Sequence, residues 1–416
     1  MAIVPVTAEG EIMGTFRAPG SPWGHVLQAA AALAASMGVG RFVYTPILPL
    51  MHAQAGLSTS AAASLATANY AGYLVGALAG ILFPALVRCR AVLRGSLTVL
   101  IATLAAMPLT HGVAAWWVLR LLAGAASALV FVIAVSSLLS NLRGHPAHLP
   151  GWGFGGVGAG IALSGALILS LHSVGGWRSA WWASAALAAV FAAGSWTLHP
   201  ERPADPVGTA EPPPRPRTLR WFSALFASYT LEGVGYIIAG TFLVAAIEQT
   251  SPGWVGSASW VLVGLAAAPS AVVCAWLGRR WSRPDLLLAA LVVQAVGMAL
   301  PAIVGGTAAA LISAALFGAT FLGIAMTALA TGAHLQFPHS VTLLTLGYAT
   351  GQIFGPLIVT PLLHRGYHQA LLLAAVVALA AAAAAGVLRI GYPHDLLAPH
   401  QSARPSPVAG RASGRT

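Results

Sequence analysis

Long apolar stretches recur along the whole chain, and they constrain its fold more than any other feature of the sequence. Their lengths suit α-helices that cross a bilayer, each of which needs roughly 20 apolar residues. Only 7% of the residues are charged, whereas an ordinary soluble domain carries about 25%. We therefore predict an all-α membrane protein with twelve transmembrane helices. The predicted spans are Val26–Met51, Ala61–Val87, Val92–Leu109, Ala115–Ser140, Gly151–Leu171, Trp177–Leu198, Trp221–Ala246, Val255–Leu277, Leu286–Val304, Thr307–Leu329, Val341–Leu363 and Ala370–Ile390.

A proline-rich segment separates the first six predicted spans from the last six. Residues 199–220 are polar and poor in aliphatic side chains, so they bury too little apolar area to fold by themselves. A weak repeat supports the division, because the tripeptide Gly-Val-Gly at 38–40 recurs at 233–235, 195 residues later. The predicted organisation is an N-terminal six-helix bundle (1–198), a cytoplasmic linker (199–220), a C-terminal six-helix bundle (221–393) and a disordered cytoplasmic tail (394–416).

All 20 basic residues are arginines, and their distribution predicts the orientation of the chain. With both termini in the cytoplasm, 16 arginines fall in cytoplasmic segments or at cytoplasmic span ends, two in or beside outer loops and two deeper within spans. Cytoplasmic loops of membrane proteins carry such an excess of basic residues. We therefore expect a multi-pass protein of the plasma (inner) membrane of a prokaryote, with anionic lipids at its cytoplasmic face. The net charge of +11 is then no sign of nucleic-acid binding.

Two charged residues lie near the middle of otherwise apolar spans: Arg41 in the first and Glu232 in the seventh. A charge at the bilayer centre costs at least about 2.5 kcal/mol, so it normally faces a protein interior or a water-filled cavity. In one interpretation Arg41 holds an anionic group of a substrate, and Glu232 takes up a proton or pairs with Arg41 across a cavity. In the other, the two residues form a static buried pair that only fixes the packing of the helices.

Polar and aromatic side chains accompany these two charges. Asn69 and Tyr73 are four residues apart in the second span and therefore share a helical face. Tyr229 and Tyr236 lie about one turn on either side of Glu232. As a set, such residues predict a polar cavity that binds a solute. Each one alone equally suits a hydrogen bond between helices, which is worth about 0.6 kcal/mol.

Two spans carry motifs that resemble a known family. The first span reads GVGRFVYTPILPLM over residues 38–51, and the second reads ANYAGYLVGALAG over residues 68–80. These stretches resemble the YbfB/YjiJ branch of the major facilitator superfamily, whose members share a GxGRFxYTPxLP first helix and a NYxGYLxG second helix. Parts of the fifth and eleventh spans, 155–165 and 347–356, resemble the same branch. The resemblance implies a secondary transporter with two six-helix bundles around a central site.

The resemblance also bears on Arg120 and on the loop after the second span. Arg120 resembles the family's arginine motif of the fourth helix, which is linked to proton handling. The alternative is an arginine near the outer end of its helix that reaches water or lipid headgroups. The loop departs from the family pattern because it lacks the aspartate that helps latch the two halves together. The candidate substrate- and proton-binding residues are Arg41, Glu232, Tyr44, Asn69, Tyr73, Arg120, Tyr229, Tyr236 and Gln352.

Several kinds of site are not supported by the sequence. Residues 153–158 match the GxGxxG pattern of dinucleotide-binding proteins, but no strand precedes them, and helix packing through Gly151/Gly155 and Gly156/Gly160 explains them better. The histidines of the fourth-to-fifth and tenth-to-eleventh loops lack the neighbouring acids or cysteines of a metal site. No nucleophile with an adjacent base and no Walker motif is found. We therefore expect neither an enzyme nor a cofactor.

The function predicted from these observations is secondary active transport of a small organic solute. The solute would move by alternating access around a central cavity, with proton coupling and with the protein working as a monomer. One alternative is uncoupled or exchange-type efflux of hydrophobic compounds, which the glycine-rich fifth span favours weakly. Another is a receptor or scaffold that uses a transporter fold. The sequence identifies neither the substrate nor the direction of transport.

Overall fold

The fold is described from a computed structural model, which covers residues 22–142, 145, 148–171, 175–199 and 218–393. Most of the predicted linker (200–217) and the whole predicted tail (394–416) lie outside the described residues. Every regular element within the described part of the chain is a helix. We call residues 22–199 the first half and residues 218–393 the second half.

The helices follow one another with short connections. The first half contains α1 (Pro22–Leu33), a π-helical segment (Ala34–Arg41), α2 (Tyr44–Ala55), α3 (Thr59–Leu82), α4 (Pro84–Val87), α5 (Arg90–Ala106), a 3-10 turn (Met107–Leu109), α6 (Val113–Asn141), α7 (His148–Leu171) and α8 (Trp177–Ser195). The second half contains α9 (Leu219–Thr250), α10 (Trp254–Leu277), α11 (Arg283–Ile303), α12 (Gly306–His334), α13 (Ser340–Val359), a 3-10 segment (Thr360–Arg365) and α14 (Tyr367–Arg389).

Eleven helical segments of the described residues are long and apolar enough to cross a membrane. The predicted sixth span forms a helix of 19 residues, α8, but is not among the eleven. Three tryptophans and Arg178 lower the mean hydropathy of that helix. The predicted second span was too long, because it ends as α3 at Leu82 and Pro84 starts the separate helix α4.

The first span is a helix with a break in its middle, which the sequence analysis did not foresee. The break begins as a π-helix, in which the amide of Phe42 bonds to the carbonyl of Met37 at 3.2 Å, five residues earlier. The amide of Thr45 then bonds to Phe42, and Pro46 has no amide proton to donate. The carbonyl of Arg41 is therefore left without a donor from its own helix.

The helices pack mainly within each half, and a few pairs join the halves. In the first half α3 and α5 pack on α6, and in the second half α13 and α14 pack on α9. Between the halves α7 runs along α10, α3 packs on α13, and α2 packs on α9. A cavity lies along these contacts between the halves.

Glycines allow the closest approach between helices. A Cβ atom at Gly155 would meet the backbone of Ala268 on α10, and one at Gly160 would meet the backbone of Ala34 and Gly38. The glycine-rich fifth span therefore packs on both α10 and the π-helical segment, which confirms the helix-packing interpretation of this motif.

Candidate functional site

A cavity of about 140 Å³ lies between the two halves. Its first-half walls come from the π-helical segment, α3, α6 and α7, and its second-half walls come from α9, α12 and α13. Arg41 is the single charged residue among those that line it, all of which are described. The lining residues are Met37, Arg41, Tyr73, Phe131, Val135, Phe154, Val157, Tyr229, Tyr236, Phe321, Leu322, Ala325, Met326, Leu329, Thr345, Tyr348, Ala349 and Gln352.

Arg41 is a buried cation without an acidic partner. Its side chain is only 3% exposed, and it forms no ion pair with a carboxylate of the described residues. Its Nη2 donates a hydrogen bond to Oε1 of Gln352, across the boundary between the halves. Its Cζ lies 4.2 Å from the ring centroid of Tyr73 and 5.0 Å from that of Tyr70. Ring faces attract the guanidinium group, but they do not neutralise its charge, and its Nε has no hydrogen-bond partner.

Aromatic rings form much of the cavity lining. Tyr229 and Tyr348 stack with their ring centroids 4.4 Å apart. Tyr236 continues the series, with centroid distances of 5.9 Å to Tyr348 and 5.4 Å to Phe321. We call these four residues the second-half aromatic wall. The first-half rings that line the cavity are Tyr73, Phe131 and Phe154.

Glu232 lies in α9 beside the second-half aromatic wall rather than on the cavity surface. Its side chain is 1% exposed, and its Oε1 accepts a hydrogen bond of 3.4 Å from Nε2 of Gln294 on α11. The phenol group of Tyr348 is close to the same carboxyl group, whereas Oε2 has no hydrogen-bond partner among the described residues. Glu232 and Arg41 therefore bind different glutamines in this structure, and the buried pair that the sequence left open is not formed.

The family described as uncharacterised MFS-type transporter YbfB matches residues 33–386, which include both halves. The chain belongs to this family. It is therefore a multi-pass transmembrane transporter of the major facilitator type, as the motifs of its first two spans predicted, and the match indicates a transporter rather than an enzyme.

A solved structure supports the same fold for this transporter. A crystal structure of a mutant of the nucleoside transporter NupG superposes with a TM-score of 0.66, and the match covers 88% of this chain and 99% of that one. The two sequences are 13% identical, so the likeness concerns the fold alone. No curated protein sequence matches the transporter.

Five of the predicted site residues of the transporter line the cavity, namely Arg41, Tyr73, Tyr229, Tyr236 and Gln352. Three others do not: Tyr44, Asn69 and Arg120. Tyr44 donates to the carbonyl of Ala62 at 3.0 Å. Asn69 donates to the carbonyl of Arg120 at 2.9 Å. These two residues connect neighbouring helices of the first half, and for Asn69 this agrees with the second interpretation, a hydrogen bond between helices.

Arg120 is buried among the helices of the transporter, so it is not an arginine that reaches water or headgroups. It is 2% exposed, and its guanidinium group lies 5.1 Å from the ring centroid of Tyr44. Its Nη2 donates to the carbonyl of Arg41 at 3.1 Å and its Nη1 to the carbonyl of Gly40 at 3.3 Å. Arg120 thus supplies the donor that the break before Pro46 removes.

Two further hydrogen bonds join the halves of the transporter beyond Arg41, on the side that faces away from the cavity. The hydroxyl of Thr45 donates to the carbonyl of Gly240 at 2.5 Å. The hydroxyl groups of Tyr70 and Thr241 lie 2.8 Å apart. Thr45 and Gly240 are themselves 195 residues apart, so the sequence repeat brings equivalent positions of the two halves into contact.

Tyr348 and the phenylalanines of the cavity were not among the site residues predicted from the sequence. Tyr348 precedes Gln352 by four residues, so helical spacing alone places both on one face. No such signal was available for Phe131 and Phe154, because an apolar ring suits a lipid-facing position of a membrane helix as well as the wall of a cavity. Whether these two rings line the cavity depends on how α6 and α7 are rotated relative to the second half.

Proposed function

We propose that the protein is a proton-coupled secondary transporter of a small organic solute that carries a negative charge, in the inner membrane of a prokaryote. The two halves would form six-helix bundles that rock around the central cavity. The single observation that carries the proposal is Arg41, a cation that lines the cavity, is buried and has no acidic partner. Burial of an unpaired charge is costly, so an anionic ligand would stabilise this state.

Contacts between the halves support alternating access. The cavity is bounded on one side by the bonds of Thr45 to Gly240 and of Tyr70 to Thr241. Most of its lining residues belong to the halves of their helices that the arginine distribution assigns to the cytoplasm, such as Phe131 in the second half of α6 and Phe154 in the first half of α7. The structure therefore fits a state that is closed toward the outside.

Glu232 is the residue proposed to carry the proton. It is buried, accepts a hydrogen bond from the neutral side chain of Gln294, and lies next to Tyr348 of the cavity. Binding of a proton removes a charge that is expensive in these surroundings. Movement of α9 against α11 and α13 would change the environment of this carboxyl group, which gives a route from substrate binding to proton release.

The test of the proposal compares cells that lack the protein with cells that overproduce it. Untargeted metabolite analysis of uptake and efflux should find at least one organic anion whose distribution changes. Cells that produce Arg41→Gln at equal membrane levels should match the deletion for that anion. A solute that is neutral or cationic, moved equally well by Arg41→Gln, would contradict the proposal.

Uncoupled efflux of hydrophobic compounds stays the second candidate, because most of the cavity lining is aromatic or aliphatic. This candidate predicts transport that needs neither Arg41 nor Glu232. It also predicts that the gradient of protons across the membrane has no effect on the final distribution of the solute.

A further inference from the structure

We infer that the cavity binds a single-ring aromatic monocarboxylate of the benzoate type, with its carboxylate on Arg41 and Gln352 and its ring against the aromatic side chains of both halves. The inference rests on the proposed function and names the substrate class of the same site. Three properties of the cavity carry it: its volume, its charge and its aromatic lining.

The volume limits the ligand to one ring. The cavity measures about 140 Å³, and a cavity of about 150 Å³ lined by aliphatic and aromatic side chains binds one benzene molecule. A six-membered ring therefore fills the space beside the second-half aromatic wall. A fused pair of rings or a nucleoside-sized ligand would need the walls to move apart.

The charge limits the ligand to one anionic group. Arg41 is the only charged side chain among the lining residues, all of them described, so a second carboxylate or an ammonium group would find no counterion. The Nε of Arg41 has no partner and faces no competing acid. Oε1 of Gln352 accepts from Arg41, which leaves its amide NH₂ group as a donor. A guanidinium edge and an amide donor together suit the two oxygens of one carboxylate.

The lining favours a flat aromatic ring over an aliphatic one. Tyr229, Tyr348, Tyr236 and Phe321 form a series of roughly parallel rings, with interplanar angles of 17° to 25°. An aromatic ligand can extend such a stack, whereas a saturated ring of the same size makes only dispersion contacts. The wall therefore separates benzoate from cyclohexanecarboxylate, although the two have the same charge and similar volume.

Binding to the full-length protein in nanodiscs tests the inference without any need for transport. Radiolabelled benzoate should bind, and cyclohexanecarboxylate should compete about tenfold less well because it loses the aromatic contacts. Benzamide, benzylamine and phthalate should not compete, since they lack the negative charge, reverse it or double it. Absence of benzoate binding, or equal competition by benzamide, would overturn the inference.

Two substitutions locate the site. Arg41→Gln should weaken benzoate binding by about 30-fold or more. Arg178→Gln, which removes an exposed cation over Trp177, should not weaken it.

Tyr229→Leu should reduce the preference for benzoate over cyclohexanecarboxylate to near unity. Phe222→Leu is its matched control on α9, because Phe222 stacks on Phe337 at 4.1 Å outside the cavity. A preference that changes equally in both variants would contradict the assignment.

Counterflow in proteoliposomes then separates the inference from the function. If benzoate binds but is not exchanged across the membrane, the transport proposal fails and the ligand class stands. If another organic anion is transported with dependence on Arg41 and benzoate does not bind, the function stands and the aromatic inference fails.

Discussion

The guanidinium group of Arg120 donates to the main-chain oxygen of Arg41 at 3.1 Å, so one buried arginine holds the backbone of another. The carbonyl that it binds lost its helical donor where the first span changes from a π-helix to α2. Because Arg120 contacts the main chain and not the cavity, we assign it a positioning role. It fixes the point from which the side chain of Arg41 reaches Gln352.

Arg120→Gln should destabilise the protein by about 2 kcal/mol or more, because it leaves buried carbonyls without a charged donor. Thermal unfolding of the purified protein measures the loss, and Arg178→Gln, which removes an exposed arginine, should change little. Pro46→Ala adds an amide proton five residues after Arg41, which is the spacing of a π-helical hydrogen bond to its carbonyl. The double variant Arg120→Gln/Pro46→Ala should therefore recover part of the stability, and no recovery would argue against the missing-donor explanation.

The double variant Arg41→Gln/Glu232→Gln should be as inactive in substrate binding as Arg41→Gln alone. A static pair would give the opposite result, because loss of both charges leaves neither stranded. The structure predicts no rescue, since Arg41 binds Gln352 while Glu232 binds Gln294. Binding to monodisperse protein decides the matter, and a double variant that binds better than either single variant would restore the pairing hypothesis.

Gly124→Ala should destabilise the first half by at least about 1 kcal/mol through overpacking. The added methyl group would meet the backbone of Asn69 and Tyr73 on α3, which cannot move away as a flexible side chain would. Gly386→Ala on α14 is the control, because nothing lies within 4 Å of a Cβ atom there. The control should keep the parent stability or gain up to about 1 kcal/mol from helix propensity.

The fold could be predicted from the sequence to a large extent because apolar length is a strong signal. The bilayer requires its spanning helices to be long and apolar, and a run of consecutive apolar residues can be recognised directly in the sequence. Where the prediction failed, a local feature interrupted the apolar run, as Pro84 does after Leu82. The tryptophans and Arg178 of α8 likewise weaken the signal of a helix that is nonetheless formed.

The candidate site was predictable only where a residue was unusual for its surroundings. Arg41 and Glu232 stood out because charges are rare in apolar spans, and both are buried. Arg120 stood out through its resemblance to the family's arginine motif of the fourth helix, but its contacts depend on a backbone break whose partner carbonyls no sequence pattern reveals. The contact of Thr45 with Gly240 depends on the packing of helices that are far apart in the sequence. The offset of 195 residues between the two positions is nevertheless the offset of the sequence repeat.

Topology can be tested with reporter fusions. Reporters placed after Arg94, at Asp205 and after Arg283 should all report the cytoplasm, because the arginine clusters lie in these segments. Asp205 belongs to the predicted linker and lies outside the described residues. A signal from the outer side at Asp205 would overturn the division into six plus six spans, even if the other two fusions behaved as expected.

Glu232→Gln should separate coupling from transport. Glutamine keeps the shape of the side chain and its bond to Gln294, but it cannot take up or release a proton. The variant should therefore lose accumulation driven by an imposed pH gradient, while it retains counterflow of the same solute without a gradient. Both measurements use proteoliposomes from one protein preparation, so counterflow controls for folding and reconstitution. Glu248→Gln, which replaces the other acid of α9 near its end, is the matched control and should keep both activities. Unchanged gradient-driven accumulation in Glu232→Gln would exclude this carboxyl group as the coupling site.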